Sequence, residues 1–293
     1  MWVLSQAHPD VPEHATDDTV RQTHAARACG CPVVWLPPRL AVPEIAASFQ
    51  DVSVEPPQPA VWFGYIPQPE VYAAVYEAAL SRGLRLLNDP DQHLAVFELD
   101  RAYPHLEELT AKSIVVRSPA EVEAASQRLA LPWFIRGAML SNKRKGRGAC
   151  IAETLEQARE IVGELLAEPH LSRGRVLLRE MIPLRTASID GYGLPAGREF
   201  RVFLYRGEVI SHGFYWPYLL DFATLTDAEE AAMLAVAREA AARLAAPWLS
   251  VDVGQTTDGR WVIIESGDPQ FSGLGLMSAR KTIEALAAAV ARE

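Results

Sequence analysis

The chain is short of cysteine: Cys29, Cys31 and Cys150 are the three thiols among 293 residues. An odd number, with two of them separated only by Gly30, is a poor disulfide framework and fits a reducing compartment. Basic residues are outnumbered, 28 Lys and Arg against 37 Asp and Glu, which leaves a net charge of −9. That balance argues against a general nucleic-acid surface while leaving room for a local basic pocket. No uninterrupted apolar run reaches the roughly 18 residues that a membrane span requires. The Ala-rich segments near 229–247 and 282–292 carry charges and read as amphipathic helices. The start, MWVLSQAHPDVPEHATDD, lacks a basic segment followed by a long apolar run, so no secretory leader is expected and the expected location is cytoplasmic. There is no convincing internal repeat. What the chain does have is apolar content, 49%, enough for a sizeable core and more than one lobe.

Residues 1–31 are polar and weakly patterned, which predicts a frayed or surface segment. Cys29, Cys31 and His24 could supply three zinc ligands, but the spacing is irregular and no second thiol pair completes the set. Strands are predicted at 32–36 and 61–65, and a proline-initiated helix over 69–82 runs into a strand at 84–88. A loop and short helix over 101–113 lead to a strand at 113–117. Ser118 to Glu121 has the form of a capping box opening a helix to about Ala130. Further strands are expected at 131–135, 149–152 and 175–180, with a helix over 154–166. The later part reads as a strand pair, 200–205 and 208–214, then a helix over 227–246. A hairpin follows, 249–253 and 260–265, and a closing helix over 278–291. Helices and strands mix without even alternation, so the fold class is α+β.

The hairpin is the sharpest feature. Trp261 to Ile264 run straight into Glu265, and Asp268 follows in a glycine-containing turn. Asp252 shares a sheet face with Glu265 if it lies opposite residue 263 or 265, a register that the sequence leaves open. In that register two carboxylates project toward one cation, with Asp268 available from the turn. Such hard oxygen ligands suit Mg²⁺ carrying substrate phosphates, and the competing reading is a pair of solvated strand-end acids.

Cations recur elsewhere. Arg136 ends an apolar strand, and Lys143, Arg144, Lys145 and Arg147 follow in a loop with three glycines. Glycine lets backbone approach phosphate closely, although neither known glycine-rich nucleotide motif is present and such loops are commonly solvated surface. Between the two features, 176-VLLREMIPL-184 is a strand suited to pass an adenine edge, with Met181 or Ile182 packing on the ring; ordinary strand core is the alternative. In 197-GREFRVFL-204, Glu199 and Arg201 share one face, suited either to ribose and phosphate contact or to an exposed ion pair.

The order of 132-PWFIR-136, 141-SNKRKGRG-148, 179-REMIPL-184, 197-GREFRVFL-204 and 251-VDVGQTTDGRWVIIESGDPQFSG-273 resembles the ATP-grasp superfamily. The last piece, with REFR, most resembles the clade named for an arginine and two lysines. The run 71-VYAAVYEAALSRGLRLLN-88 is similar to the region before its nucleotide domain, so the resemblance covers about residues 60–293. It implies two α+β lobes clamping ATP with Mg²⁺: an N-terminal α/β region over 1–100, one lobe over 101–178 and the other over 179–293. It also implies a ligase that makes an acylphosphate from a carboxylate for attack by an amine or similar nucleophile. A kinase on the same scaffold, or a nucleotide binder without turnover, are the alternatives.

By position, Arg136, Lys143 and Lys145 would bind the nucleotide phosphates, and Glu180, Met181 and Ile182 would form the adenine hinge. Glu199 would lie near ribose, Arg201 would act on the transferring phosphoryl group or the substrate carboxylate with Lys143 as the other catalytic cation, and Asp252, Glu265 and Asp268 would hold Mg²⁺. Two departures from the superfamily pattern stand out. Arginine replaces lysine at Arg136, and the usual Glu-x-Asn metal motif is here Glu265-Ser266-Gly267-Asp268. The implied partner is a small-molecule or peptide substrate, and the expected assembly is a monomer or homodimer.

Overall fold

Three four-stranded sheets and one small hairpin sheet carry the described residues, which are 1–11, 13–16 and 19–293 of a computed structural model. The first sheet is wholly parallel, in the order β2-β1-β3-β4, from β1 (Trp2–Gln6), β2 (Val33–Leu36), β3 (Gln58–Phe63) and β4 (Leu84–Leu86). Helices α1 (Val20–Ala28), α2 (Val42–Ala47) and α3 (Pro69–Leu80) connect its strands. Within the segment 1–31, Trp2–Gln6 and Val20–Ala28 are therefore not frayed. β1 is central in the sheet with Val3, Leu4 and Ser5 fully buried, and a buried parallel strand shows a short apolar run rather than an alternating pattern. Positions 12, 17 and 18 of that segment lie outside the described residues. Cys29 and Cys31 are half-buried after α1, and no group of three or more His, Cys, Asp or Glu among the described residues could hold a metal ion.

Two helices, α4 (Pro90–Phe97) and α5 (Leu99–Leu106), lead onward. Helix α4 has no counterpart among the elements expected above. Its start was nevertheless legible, because Asp89 and Gln92 form a reciprocal capping box ahead of an N1 proline.

The second sheet has the order β5-β8-β6-β7 and is antiparallel throughout. Its strands are β5 (Ser113–Val116), β6 (Trp133–Gly137), β7 (Ile151–Ala152) and β8 (Val176–Glu180), backed by α6 (Val122–Ser126), α7 (Leu155–Leu166) and α8 (Pro169–Ser172). The helix expected to reach Ala130 opens as a 3₁₀ turn and ends at Ser126. Ser118 Oγ donates to the Glu121 carboxylate at 3.1 Å instead of capping a backbone N–H, so the box does not close. The strand expected at 131–135 is shifted to Trp133–Gly137, which brings Arg136 inside it.

After the hairpin β9 (Thr186–Ile189) and β10 (Pro195–Gly197), the third sheet runs β12-β11-β13-β14, also antiparallel. Its strands are β11 (Glu199–Tyr205), β12 (Glu208–Phe214), β13 (Trp248–Gln255) and β14 (Trp261–Gly267). Helix α9 (Asp227–Leu244), capped by Thr226 and Glu229, packs Met233, Ala237 and Ala240 on one face of this sheet. On the other face, Phe203 and Trp248 share a core with Val61 and Phe63 of the first sheet and with Ile283 and Leu286 of α10 (Ala279–Val290). Burying a side chain such as Ile283 contributes about 2 kcal/mol, so the first and third sheets form one packed unit. Among the described residues, no helix is long and apolar enough to cross a membrane.

Candidate active site

The second and third sheets meet along an open cleft enclosing about 900 Å³, mouth included. One end is apolar: Phe134 on β6, Ile151 on β7, Met181 and Ile182 just past β8, and Leu194 before β10. Glu180 is exposed at this rim, so Glu180, Met181 and Ile182 all line the cleft. The β9–β10 hairpin lines the apolar end with Thr186 and Pro195. Its tip is tied to the basic loop, because Arg147 N–H donates to the Tyr192 carbonyl at 3.0 Å.

The other end is ionic. In the β13–β14 ladder Asp252 stands directly opposite Glu265, so both carboxylates leave the sheet on the same face. β11 adds Glu199 and Arg201 to that face, with Arg201 paired opposite Asp252. Arg201 grips Asp252 through two hydrogen bonds of 2.7 Å, from Nε and Nη2, and donates a third from Nη1 to the Gly273 carbonyl at 2.8 Å. Its guanidinium also lies 4.8 Å from the centre of the Tyr215 ring. Burial alone would make the Arg201 cation easier to neutralise, but Asp252 more than offsets this and raises its pKa.

From the opposite wall Arg136 pairs with Glu265 and donates to the carbonyls of Gly137 at 3.1 Å and Met139 at 2.7 Å. The backbone here runs tight against α8, where a Cβ on Gly137 would sit 2.1 Å from the Leu171 carbonyl oxygen, so only glycine fits beside Arg136. Burial pushes the Glu265 carboxyl up, yet Arg136, Lys143 and Arg201 together hold it down at about 2. Lys143 keeps its charge for the reciprocal reason: burial lowers its pKa, and Glu265 and Glu199 raise it further than that. Glu199 goes the other way. Burial, helped by Asp252 and Glu265 and opposed by Lys143, brings it to about 7. The ionic end thus brings Glu199, Asp252 and Glu265 together with Arg136, Lys143 and Arg201, an arrangement suited to carrying and redistributing phosphate charge.

Two of the expected site residues are not brought here. Lys145 points outward, 57% exposed, with its ammonium 3.8 Å from Glu168. Of the loop's cations Lys143 lines the cleft, and Arg147 pairs with Glu153. Asp268 is fully buried away from Glu265. Its Oδ2 accepts from Asn88 Nδ2 at 3.0 Å and Gln270 Nε2 at 3.1 Å and lies 3.1 Å from His93 Nδ1, while its Oδ1 accepts from Gln270 N at 3.1 Å. Asp268 lines neither the cleft nor the space beyond it, and its oxygens are committed to this buried network, which removes it from the metal-ligand set. Arg198, next to Glu199, is likewise an anchor, held by Glu229 of α9 and by Gln255.

Other residues enter the site without having been singled out. Arg179 reaches across to donate to the Ile264 carbonyl at 2.9 Å and Thr110 Oγ1 at 2.7 Å, and burial beside Arg136 lowers its pKa to about 10. Tyr215 and Trp216, just past β12, line the two sides of the ionic end. An aromatic pair at a strand end was the available signal. Beyond Arg136 and Glu265 lies a second chamber of about 620 Å³ that shares both residues with the cleft.

The carboxylates of Asp252 and Glu265 suit a divalent cation that also binds phosphate oxygens and water, and among the described residues no group of three or more His, Cys, Asp or Glu could hold a metal ion by itself. The family model of the ATP-grasp domain, family 3 of the clade named for an arginine and two lysines, matches residues 126–290, more than half of the chain. No curated protein matches significantly. Among solved structures, a RimK domain ATP-grasp protein from Sphaerobacter thermophilus is similar at 15% identity and a TM-score of 0.60, covering 97% of this chain and 99% of its own. D-alanyl-alanine synthetase A from Vibrio cholerae aligns at 14% identity and a TM-score of 0.64, over 99% and 97% of the two chains. The ATP-grasp ligase PsnB, solved with minimal precursor, Mg and ADP, aligns at 13% identity and a TM-score of 0.60, over 99% and 98%. At these identities the structures speak for the fold.

Proposed function

The chain belongs to the third ATP-grasp domain family of the arginine-and-two-lysines clade, and from that premise we propose that it is an ATP- and Mg²⁺-dependent ligase joining a carboxylate to an amine or similar nucleophile. The observation that carries this reading is the register of Asp252 against Glu265, with Lys143 and Arg136 facing them from the other lobe. The apolar end, from Phe134 to Leu194, suits an adenine ring, and the ionic end suits the phosphates.

In this reading Asp252 and Glu265 would hold Mg²⁺, which supplies charge neutralisation at the phosphate oxygens. Lys143 and Arg136 bind the phosphates, and Arg201 faces the transferring group from the third sheet. An oxygen of the substrate carboxylate attacks the γ-phosphorus, the bond to ADP breaks, and an acylphosphate forms. The nucleophile then attacks the acyl carbon and inorganic phosphate leaves. Protein side chains provide positioning and charge, with no covalent intermediate on the chain. Residues 1–100 would complete the substrate side, with the two ATP lobes at 101–178 and 179–293.

The test is ADP and phosphate release across paired carboxylates and amines. Release that needs both partners supports ligation, and a stable phosphorylated product with one partner turns the assignment to a kinase. A melting temperature unmoved by Mg-ATP overturns both, because a ligand of the native state must raise it.

A further inference from the structure

The second chamber lies where the substrate carboxylate would meet the phosphates, and its walls differ. Its charged lining is Arg136, Arg201, Asp252 and Glu265, two of each sign, and each cation is already paired with one of the acids. Every other lining group is neutral. On the third-sheet side these are serines: Ser266 Oγ donates to the Val96 carbonyl at 2.8 Å and Ser272 Oγ to the Asp268 carbonyl at 2.9 Å, so each oxygen is left as an acceptor. On the N-terminal side the wall is Ile66 and Phe97, continued by Phe271. That wall is braced from behind. His93 lies 5.5 Å from Phe97 and 5.3 Å from Phe271, ring centre to ring centre, and stacks on Tyr72 at 4.1 Å.

We infer that this chamber takes a small monocarboxylate whose body carries no charge beyond the reacting carboxyl and sets an apolar face against Ile66 and Phe97. The inference rests on the ligase reading, which sets the reacting carboxyl beside the transferring group that Arg201 faces. A second charge at the far end of the substrate meets no counter-ion there and loses its water without compensation. Selectivity comes chiefly from that exclusion. Ile66 is the position that sets it, being half-buried at the lip and outside the nucleotide cleft.

The test uses the full chain with Mg²⁺ and a non-hydrolysable ATP analogue, titrated calorimetrically with isovalerate, glutarate and 4-aminobutyrate. The expected result is isovalerate binding at least tenfold tighter than either doubly charged probe. Ile66→Arg is expected to weaken isovalerate at least fivefold and to bring glutarate to equal or tighter binding, with analogue binding confirming that the variant is folded. Equal binding of the three probes by the wild type, no binding of any, or unchanged selectivity in Ile66→Arg each overturns the inference. If the variant does not fold, the wild-type comparison decides. If the analogue itself does not bind, the nucleotide reading fails, and the same three titrations without nucleotide still decide the character of the chamber.

Discussion

Glu265 and Asp268 stand three residues apart in one stretch of chain, and both are acids turned inward, yet their surroundings differ in kind. Glu265 is met by cations, Arg136 from the second sheet and Lys143 from the basic loop, which keep it ionised at about 2 despite burial. Asp268 is met by amide and imidazole nitrogens from Asn88, Gln270 and His93. Cations around Glu265 make a place where another charge can be exchanged. The groups around Asp268 make a closed knot: Asn88 also bonds the Trp248 backbone, and Gln270 the Trp62 N–H and the Tyr72 hydroxyl. One short motif therefore presents its first acid to the cleft and uses its second to join the first sheet to the third.

The contrast predicts a double dissociation. Glu265→Gln should lower turnover by about 10³-fold, the scale of losing one preorganised charge contact in a reacting site. Melting should change by little, because the amide oxygen still accepts from Arg136. Wild-type turnover at saturating Mg²⁺ would break the comparison. Asp268→Asn should do the reverse, costing about 3 kcal/mol in a denaturant titration as an amide N–H₂ is forced among buried donors. Turnover of the fraction that remains folded should stay within about threefold of wild type on the same scale of argument. A loss of Mg²⁺ affinity without a loss of stability would return Asp268 to the metal site.

A third acid sharpens the electrostatic half of the comparison. Glu199 is held near 7, largely by burial, against an ordinary 4.5. Its native state binds the proton more tightly than the unfolded chain does. Its stabilising contribution is therefore complete below 4.5 and is lost as pH rises through 7. The loss amounts to roughly 3 kcal/mol at most. Glu265, shifted oppositely to about 2, is already ionised throughout that window. Denaturant midpoints of the nucleotide-free protein should thus fall between pH 4.5 and 7, and Glu199→Gln should flatten that slope. An unchanged slope in the variant would assign the titration elsewhere.

Much of this was legible in the sequence where the signals are local. The strand run into Glu265, the alternation of Glu199 and Arg201, and the helices over 154–166 and 227–246 all report nearest-neighbour physics, and the structure bears them out. What was not legible depends on long-range partners. Asp268 looks like a metal ligand until Asn88 and His93, some 180 residues earlier, meet its Oδ2. β1 looks polar because its one apolar run is short and its neighbours, β2 and β3, lie elsewhere in the chain. Ile66 and Phe97 carry no local mark at all. They become walls of a chamber only when the first sheet packs on the third.

The basic loop offers the smallest and most discriminating version of the same comparison. Lys143 and Lys145 are two residues apart, identical in chemistry, and equally plausible as phosphate ligands from the sequence. The turn between them separates their directions: Lys143 reaches the cleft, 5.8 Å above the Phe134 ring and under the influence of Glu265 and Glu199, while Lys145 leans toward Glu168 in water. Lys143→Ala should therefore weaken Mg-ATP binding by about tenfold, the scale of one charge-assisted phosphate contact. Lys145→Ala should change it by less than about twofold, as expected for an exposed ion pair. Raising the salt concentration would erase the Lys145 effect first, since only that charge is screened by solvent. Equal losses in the two variants would mean that the loop turns over when nucleotide binds, and that the division between cleft and surface is drawn by the ligand rather than by the fold.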